Sequence, residues 1–511
     1  MSHQPPTHTG SLFHAGQEAE ARHDDTAALE HYTASLATEG HPLLTWLRIG
    51  HIFLRMRQYQ QAAETMELAL GMAPQEAAAM HGLAMAYFHL GRHEEARALI
   101  DHVVEVQPGH AAYALDRANI HAISTDNPIH QRALYEQWAQ YLPSEMGHGP
   151  QVFANSPDPD RVLRIAYIID DLDTLSHLLL PVLEHHDASH VRACVLCASH
   201  IQAQASSLHD ISRLSADALH TLIRTLEIDL LVNLADFSRH AIPSVLARRA
   251  APIQLNWLGM RSSTGLQTMD YCLTDAETDP AGHEHFYLEK LLRLHHLCSY
   301  NPPQHDTLAP VPPMLQANPP TLGSFNRAYR VTDQALLLWK RIMEARPDVQ
   351  LLLHVEETDI DDAVNAMEPR LVQLGMPMER IIISPAVSTE ELMTRGSIVD
   401  IALDSFPTSD IATTLHTLWM GLPIIAMDST LAPHSVAILK HLGLTQWIAS
   451  SAEEYIAKVL QLLDAPEQLQ TYRSQLQQQL QQSPLMDHAG YCRKLESCYR
   501  QIWHTYLQQT E

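Results

Sequence analysis

The sequence predicts an α + α/β protein in which helical repeats precede two doubly wound lobes. Three observations lead to this fold class. Small residues recur every 34 positions in the first part of the chain, short apolar runs alternate with helical stretches from about residue 160 onward, and seven prolines crowd residues 302–320. A chain of 511 residues has room for about three or four domains, so we expect these regions to fold as separate units.

The repeats are expected to cover residues 1–143. Two sets of small residues have the same spacing: Ala28, Ala62 and Ala96, and Gly16, Gly50 and Ala84. This period is that of the tetratricopeptide repeat (TPR), a helix–turn–helix unit whose helices cross closely at small residues. A fourth, degenerate unit near residues 111–143 is expected to cap the stack. Arrays of TPR-like helical repeats bind peptides or proteins in a groove, so this region predicts a protein partner.

Two sheet-containing lobes are predicted beyond a turn-rich boundary near residue 150. The apolar runs of the first lobe (161–301) lie at 164–169, 191–198, 229–234, 252–258 and 271–274. Beyond the proline-rich linker of residues 302–320, those of the second lobe (321–484) lie at 321–325, 351–355, 381–384, 401–404 and 423–427. Such alternation indicates parallel sheets, which bind ligands at the carboxyl ends of their strands, so the cleft between the lobes is the expected site. An apolar stripe over residues 485–511 predicts a C-terminal helix that packs back on a lobe.

Composition argues against several classes of protein. Lys plus Arg number 33 against 59 for Asp plus Glu, and the formal charge of -26 disfavours nucleic acid as a partner. We find neither an apolar run of membrane-spanning length nor a signal peptide pattern, so no membrane span and a cytoplasmic location with reduced cysteines are expected. Cys194 and Cys197 form a C-x-x-C in an apolar run, which favours buried packing, with zinc or redox chemistry as the alternative.

Several motifs follow one another along the two lobes. They are APIQLNWLG at residues 251–259, EKL at 289–291, GSFN at 323–326, DIALD at 400–404 and LWMG at 418–421. In content and order they resemble the catalytic region of the protein O-linked N-acetylglucosamine transferases, the repeat-bearing family that includes the plant SPINDLY proteins. The resemblance implies a GT-B-type glycosyltransferase with two Rossmann-like lobes. It also implies a UDP-sugar co-substrate without cofactor or metal ion, inversion at the sugar carbon, and a Ser or Thr of an acceptor protein as nucleophile.

The resemblance places the donor site on the second lobe. In the family, a lysine that meets the diphosphate follows the GSFN motif, whose last residue here is Asn326, and Arg330 stands at the position of that lysine. An arginine keeps the positive charge that stabilises a leaving diphosphate, but its planar guanidinium differs in geometry from the ammonium group of lysine. Thr413 and Thr414 are expected to open a helix whose amides and hydroxyls meet phosphate, or alternatively to cap that helix. Arg395 matches another basic position of the family.

Three histidines carry the remaining assignments. His416 stands where the family has an acidic ribose ligand, and His177 corresponds to the second histidine of its first catalytic-lobe motif. A base with a pKa near the working pH helps a hydroxyl to act as nucleophile, so His177 is the candidate base. Alternatively, His177 caps a helix that starts at Leu178. His240 is the substitute candidate, because its loop follows a strand that ends near the same cleft.

Departures from the family's motifs leave two functions open. Positions that shape strands and turns are kept, whereas positions that touch ligand differ, as at residues 410–412 in the phosphate turn. This pattern is typical of a glycosyltransferase with an altered donor site. It is also typical of a catalytically inactive adaptor that binds partner proteins and assists another glycosyltransferase. The Asp-x-Asp pairs at residues 171–173 and 359–361 are common in so acidic a chain and are not expected to bind metal.

Overall fold

The computed structural model describes residues 11–38, 41–142, 152–199, 207–237, 241–260, 262–303, 311–355, 359–385, 387–429 and 434–510. It has the predicted fold class, with helical repeats followed by two parallel sheets that are flanked by helices. Within these ranges, no helix combines the length and the apolar character needed to cross a membrane.

Among the described residues of the repeat region, eight helices form four consecutive pairs. They are α1 (Leu12–Ala21), α2 (Asp25–Thr38), α3 (Pro42–Arg55), α4 (Tyr59–Met72), α5 (Ala77–His89), α6 (His93–Val106), α7 (Ala111–Ser124) and α8 (Pro128–Ala139). The spaced glycines lie where helices cross. A Cβ on Gly16 would lie 2.6 Å from a ring carbon of Tyr32, and one on Gly50 would lie 2.6 Å from the Met66 methyl carbon. The 34-residue period therefore marks helix crossings, as predicted.

The described part of the first lobe is built on a seven-stranded parallel sheet. Its elements are β1 (Leu163–Ile169), α9 (Leu172–His185), β2 (Val191–Cys197), β3 (Leu208–Asp210), α10 (Ala216–Thr225), β4 (Leu230–Asn233), α11 (Ala241–Ala247), β5 (Ile253–Asn256), β6 (Tyr271–Asp275) and β7 (Lys290–Leu294). The strand order is β3-β2-β1-β4-β5-β6-β7. On β2, Cys197 lies in the core on one face of the sheet and Cys194 packs on the other, so these two thiols cannot share an ion.

Within the residues that the structure describes, the second lobe is built on a six-stranded parallel sheet. Its elements are β8 (Thr321–Ser324), α12 (Asp333–Ala345), β9 (Gln350–His354), α13 (Ile360–Gln373), β10 (Ile381–Ser384), α14 (Thr389–Arg395), β11 (Ile401–Leu403), α15 (Ile411–Trp419), β12 (Ile424–Met427), α16 (His434–His441), β13 (Ile448–Ala449), α17 (Ala452–Leu463) and α18 (Pro466–Gln481). The strand order is β10-β9-β8-β11-β12-β13. The chain then forms a long helix, α19 (His488–Thr510).

Both sheets reverse their strand order beside the first strand of the lobe. β1 lies between β2 and β4, and β8 lies between β9 and β11. In doubly wound sheets, the crevice at the carboxyl ends of such strands is where ligands bind. The loops that follow β4, β8 and β11 are therefore placed to form a site.

The C-terminal helix α19 packs against the first lobe rather than against the sheet that precedes it in the chain. Tyr491, Tyr499 and Trp503 are buried, and the Tyr499 hydroxyl lies 3.3 Å from the hydroxyl of Tyr167 on β1. Arg500 donates hydrogen bonds to backbone carbonyls in the segment before β1. The apolar stripe in the sequence is thus the face that covers the first lobe.

The repeats dock on the second lobe through the turn between α5 and α6. Gly91 in this turn has a φ of 74°, and a Cβ there would overlap the guanidinium of Arg370 and lie 2.9 Å from the Ala328 carbonyl oxygen. A glycine is required both by the left-handed backbone and by the close approach. Beside it, the buried His93 ring donates from Nε2 to the Tyr329 carbonyl oxygen over 2.6 Å.

This contact predicts that Gly91→Ala will destabilise the protein. The alanine strains the left-handed backbone and pushes on Arg370, so we expect the free energy of unfolding to fall by about 1 to 3 kcal/mol in urea titrations. Gly71→Ala is the control, because Gly71 lies in α4 and an added Cβ there would have no atom within 4 Å. That helical substitution is expected to be neutral or to stabilise by about 0.5 to 1 kcal/mol. Equal stability of the two variants would contradict the close docking.

Candidate functional site

A cavity of about 460 Å³ lies where the repeats face both lobes. The first helices of the repeat pairs contribute Leu54, Met85, Phe88, His89, Asn119 and Ile123. The first lobe contributes Leu175, Leu178, Asp236, Leu258 and Met260, and the second lobe contributes Tyr329, Arg330, Ser409, Asp410 and His434. The cavity thus opens at the loops that follow the central strands of both sheets, which is where the sequence places the site.

Arg330 supplies positive charge to the second-lobe wall of the cavity. It ends a short 3-10 turn after β8, and its Cζ lies 5.2 Å from the centre of the Tyr329 ring. Its Nη2 lies 3.6 Å from Oδ2 of Asp410, whereas its buried Nη1 has no hydrogen-bond partner among the described residues. Burial alone would lower the pKa of Arg330, but Tyr329 and Asp410 raise it above the usual value. The side chain is therefore a permanent cation with one donor still to be satisfied.

Asp410 occupies the N-terminus of α15. Its Oδ1 accepts the backbone N–H of Thr413 over 2.8 Å, and its carbonyl oxygen accepts the Thr414 hydroxyl over 2.7 Å. Burial would raise the pKa of Asp410, but Arg330 and the Thr413 N–H lower it to about 2. The helix begins at Ile411, two residues before Thr413, and its cap is Asp410, so the alternative that a threonine caps it is wrong. The anion at this helix N-terminus is the protein's own carboxylate.

Asn326 lies in a buried hydrogen-bond network at the end of β8. Its Nδ2 donates to Oδ1 of Asp404 over 3.4 Å, and the Ser435 hydroxyl donates to the other oxygen of that carboxylate. The Asn326 Oδ1 and the Thr408 hydroxyl are buried without a partner within the described ranges. A buried polar atom without a partner costs about 1 to 3 kcal/mol, so these atoms mark a place where a ligand or water completes the network.

The two lobes touch through a pair of histidines. His416 on α15 is buried, and its Nδ1 is hydrogen-bonded to the Tyr300 hydroxyl over 2.9 Å. Burial lowers the pKa of His416 to about 3, so its ring is neutral. His177 on α9 meets it edge-on with ring centres 4.8 Å apart, and its Nδ1 donates to the Asn301 carbonyl oxygen over 2.8 Å. This hydrogen bond leaves Nε2 as the basic atom of the His177 ring.

The structure brings some of the predicted residues together and separates others. Thr413 lies beside the pair of Arg330 and Asp410, and His177 contacts His416 across the lobe boundary. His177 lies inside α9, which begins six residues before Leu178, so the alternative that it caps a helix starting there is wrong.

Arg330 is the one predicted residue among the described residues that line the cavity, and the chain places Asn326, Thr413, Thr414 and His416 behind that wall or beside it. His177 and Arg395, which ends α14, are also not among the described residues that line the cavity. His240 lies outside the described residues. The roles assigned to these residues, and to the other predicted site residues, therefore stay predictions.

Sequence reasoning missed Asp410 and the aromatic contact of Tyr329 with the repeats. Asp410 stands directly before a helical stretch, and aspartate is a preferred N-cap residue, so the signal for the cap was present in the sequence. Nothing local marks Tyr329, whose ring packs on Phe88 with ring centres 5.3 Å apart. Its partner lies 241 positions earlier in the chain.

Comparisons with known proteins agree on the family. The chain matches the profile of Glycosyl transferase family 41 over residues 144–300 and 320–495, and that of a tetratricopeptide repeat over residues 53–120. It is 31% identical over 372 residues to a tomato (Solanum lycopersicum) protein named probable UDP-N-acetylglucosamine–peptide N-acetylglucosaminyltransferase SPINDLY. That match covers 69% of this chain, which spans 40% of the relative's length.

Two further relatives extend this result. A protein of Arabidopsis thaliana named as a probable transferase of the same kind, SEC, is 27% identical over 369 residues, which cover 67% of this chain and 37% of that protein. Among solved structures, a mutant O-GlcNAc transferase of Thermobaculum terrenum is similar over 98% of both chains, with a TM-score of 0.85 and 25% identity. The likeness to that structure includes the repeats as well as both lobes.

Two buried histidines predict a loss of stability in mild acid. His93 lies where the repeats contact the second lobe, and His416 lies where the two lobes contact each other. Burial lowers the pKa of His93 to about 4 and that of His416 to about 3, so both are neutral in the folded chain. Unfolded histidine titrates near pH ~6.5, so the unfolded state binds more protons as the pH falls from there. We expect the free energy of unfolding, measured in urea between about pH 7.5 and 5, to fall by up to about 1.4 kcal/mol per pH unit for each histidine.

The variant His416→Gln isolates the contribution of His416 to the pH dependence of the free energy of unfolding. Glutamine does not titrate, so the variant is expected to lose stability less steeply than the unmodified protein over the same pH range. An identical slope in both proteins would show that His416 is not held neutral by the fold.

Proposed function

Because the chain belongs to glycosyltransferase family 41, we propose that it transfers a sugar from a UDP-sugar to a Ser or Thr hydroxyl of an acceptor protein. The transferred group in this proposal is N-acetylglucosamine or another hexose. The observation that carries the proposal is the guanidinium of Arg330, which reaches the wall of the cavity with Nη1 unpaired among the described residues. A cation with a free donor beside a helix N-terminus is suited to a diphosphate.

In the proposed reaction, negative charge grows on the leaving diphosphate. The acceptor oxygen attacks the sugar carbon from the opposite side, the bond from that carbon to the diphosphate oxygen breaks, and the electron pair leaves with UDP. Inversion at the sugar carbon follows from this geometry. Arg330 and the N-terminal amides of α15 lie where they would stabilise the developing charge, so the proposal invokes no metal ion and no cofactor.

The hydroxyl proton needs an acceptor on the first-lobe side. His177 and His240 are the proposed bases, as the sequence suggested. For His177, the hydrogen bond from Nδ1 to Asn301 fixes the tautomer and leaves Nε2 free to take a proton. Leu175 and Leu178, on the same helix, line the cavity, so the helix that carries His177 reaches the proposed site.

The acceptor protein is proposed to lie along the repeats. The first helices of the second, third and fourth repeat pairs form one wall of the cavity, with apolar side chains such as Leu54, Met85 and Ile123. A polypeptide held along these helices would end over Arg330 and the donor. In this proposal the repeats select the acceptor, and the lobes supply the chemistry.

One observation favours a second candidate function, that of a catalytically inactive adaptor. The carboxylate of Asp410 already caps α15 and pairs with Arg330, so a diphosphate would meet a negative charge at the place meant for it. If Arg330 stays paired with Asp410 in the presence of a nucleotide sugar, the protein binds partner proteins without binding that sugar donor. Affinity for UDP separates the two candidates.

Calorimetric titration with UDP tests the donor site through two opposite substitutions. Arg330→Ala removes the cation, so UDP binding is expected to weaken and turnover to fall by about 10² to 10³. Asp410→Asn removes the competing charge but keeps an N-cap side chain, so we expect affinity to rise about tenfold. Arg341→Ala, an exposed position on α12, is the control and should change neither quantity. Absence of UDP binding in the unmodified protein and in Asp410→Asn would favour the adaptor.

A second experiment tests the proposed base. His177→Ala is expected to reduce kcat far more than the affinity for UDP, because a base acts mainly in the transition state. Leu180→Ala, at an exposed position on the same helix, controls for loss of helix packing. If His177→Ala turns over normally while Arg330→Ala is inactive, the proton leaves to water, to the diphosphate or to another residue.

A further inference from the structure

A histidine, a cysteine and a glutamate meet far from the cavity, where α19 packs on the first lobe. His186 directly follows α9, and Cys492 and Glu496 are one helical turn apart on α19. The His186 Nδ1, the Cys492 Sγ and a carboxylate oxygen of Glu496 all lie within 4.8 Å of one another. In the part of the chain that the structure describes, it is the one group of three or more such side chains whose ligand atoms converge in this way.

The spacing of the three atoms is close to that of a tetrahedral metal site. The Nδ1 of His186 lies 2.8 Å from Oε1 of Glu496 and 3.4 Å from Sγ of Cys492, and the latter two atoms are 4.0 Å apart. Ligands at zinc bond lengths of about 2.0 to 2.3 Å are separated by roughly 3.3 to 3.6 Å in a tetrahedron. A shift of about half an ångström between His186 and Glu496 would therefore admit an ion.

Neighbouring groups orient these side chains as metal sites require. The other ring nitrogen of His186, Nε2, lies 2.8 Å from the Tyr167 hydroxyl, which in turn lies 3.3 Å from the Tyr499 hydroxyl. With an ion on Nδ1, Nε2 carries the proton and donates to the Tyr167 oxygen, whose own O–H points to Tyr499. The Asp187 N–H donates to Oε1 of Glu496 over 2.8 Å and holds the carboxylate in place. Partners of this kind fix the tautomer and direction of metal ligands.

Burial and charge also suit a divalent cation. The Cys492 side chain is fully buried, and the side chains of His186 and Glu496 are 4% and 11% exposed. A thiolate and a carboxylate together balance the charge of a divalent ion, so the buried site becomes neutral when it is filled. A mixed nitrogen, sulfur and oxygen ligand set is typical of zinc.

We propose that His186, Cys492 and Glu496 form a binding site for a zinc-type divalent cation that fastens α19 to the first lobe. The ion forms bonds to Nδ1, Sγ and a carboxylate oxygen. The S–H bond breaks and its proton leaves to solvent. The proton that Nδ1 donates to Glu496 without the ion is lost from Nδ1 while Nε2 takes one up, so the ring stays neutral. The hydrogen bond between His186 and Glu496 is replaced by their shared bonds to the ion. Water takes the fourth position.

Cobalt and zinc titrations of the tag-free, full-length, chelator-treated protein test the site. We expect one cobalt ion per chain, with an absorption band from thiolate-to-cobalt charge transfer, and a rise in the melting temperature on addition of zinc sulfate. Cys492→Ser is expected to lose the band and to weaken binding by at least about 100-fold. Cys498→Ser, six positions along the same helix, is the matched control and should keep both.

Two outcomes would overturn the proposal. Cobalt that binds without a thiolate band shows that surface histidines, and not this cluster, hold the ion. A band that persists in Cys492→Ser and disappears in Cys498→Ser assigns the ion to a different cysteine. If Cys492→Ser does not fold, Glu496→Gln replaces it, because the amide keeps a hydrogen-bond acceptor for Asp187 while it removes the charged ligand, and its affinity for cobalt must fall by at least about tenfold.

Discussion

The contact between the repeat turn at Gly91 and the segment that carries Arg330 organises the rest of the molecule. Phe88 packs on the Tyr329 ring, and the Tyr329 carbonyl accepts a hydrogen bond from His93. Since Arg330 is the next residue, its guanidinium is positioned by the repeats as well as by its own lobe. The same contact holds the first helices of the repeats over the carboxyl ends of both sheets, and the cavity exists because of it.

Burial then decides which charges act in that cavity. With a formal charge of -26, the chain as a whole repels an anionic ligand, so attraction has to be local. Arg330 provides it, because a charge removed from water acts more strongly on its neighbours than an exposed one. The same burial strengthens its pairing with Asp410, 3.6 Å away. Arg330 can therefore pair either with a bound diphosphate or with Asp410. The relative strength of these two interactions decides the function.

The fold could be predicted from the sequence largely because central strands are buried on both faces. Their continuous apolar runs are visible in the sequence and, together with the run of the edge strand β10, predict ten of the thirteen strands that the described residues form. The three that these runs miss, β3, β7 and β13, are edge strands, which are short or half-exposed and so lack that signal. Within the site, Arg330 follows a recognisable motif. The pairing of Asp410 with it and the contact of His177 with Asn301 join residues far apart in the chain, which local patterns do not reveal.

The return of α19 to the first lobe sets the order in which the chain matures during synthesis. Tyr167 and Tyr499 are in contact although 332 positions separate them. At about 5 to 20 residues per second, a ribosome needs roughly 20 to 60 s to add the intervening chain. Throughout that interval, the surface of the first lobe that α19 covers is open to solvent. Until the last helix leaves the ribosome, that apolar surface is therefore exposed to contacts with other chains.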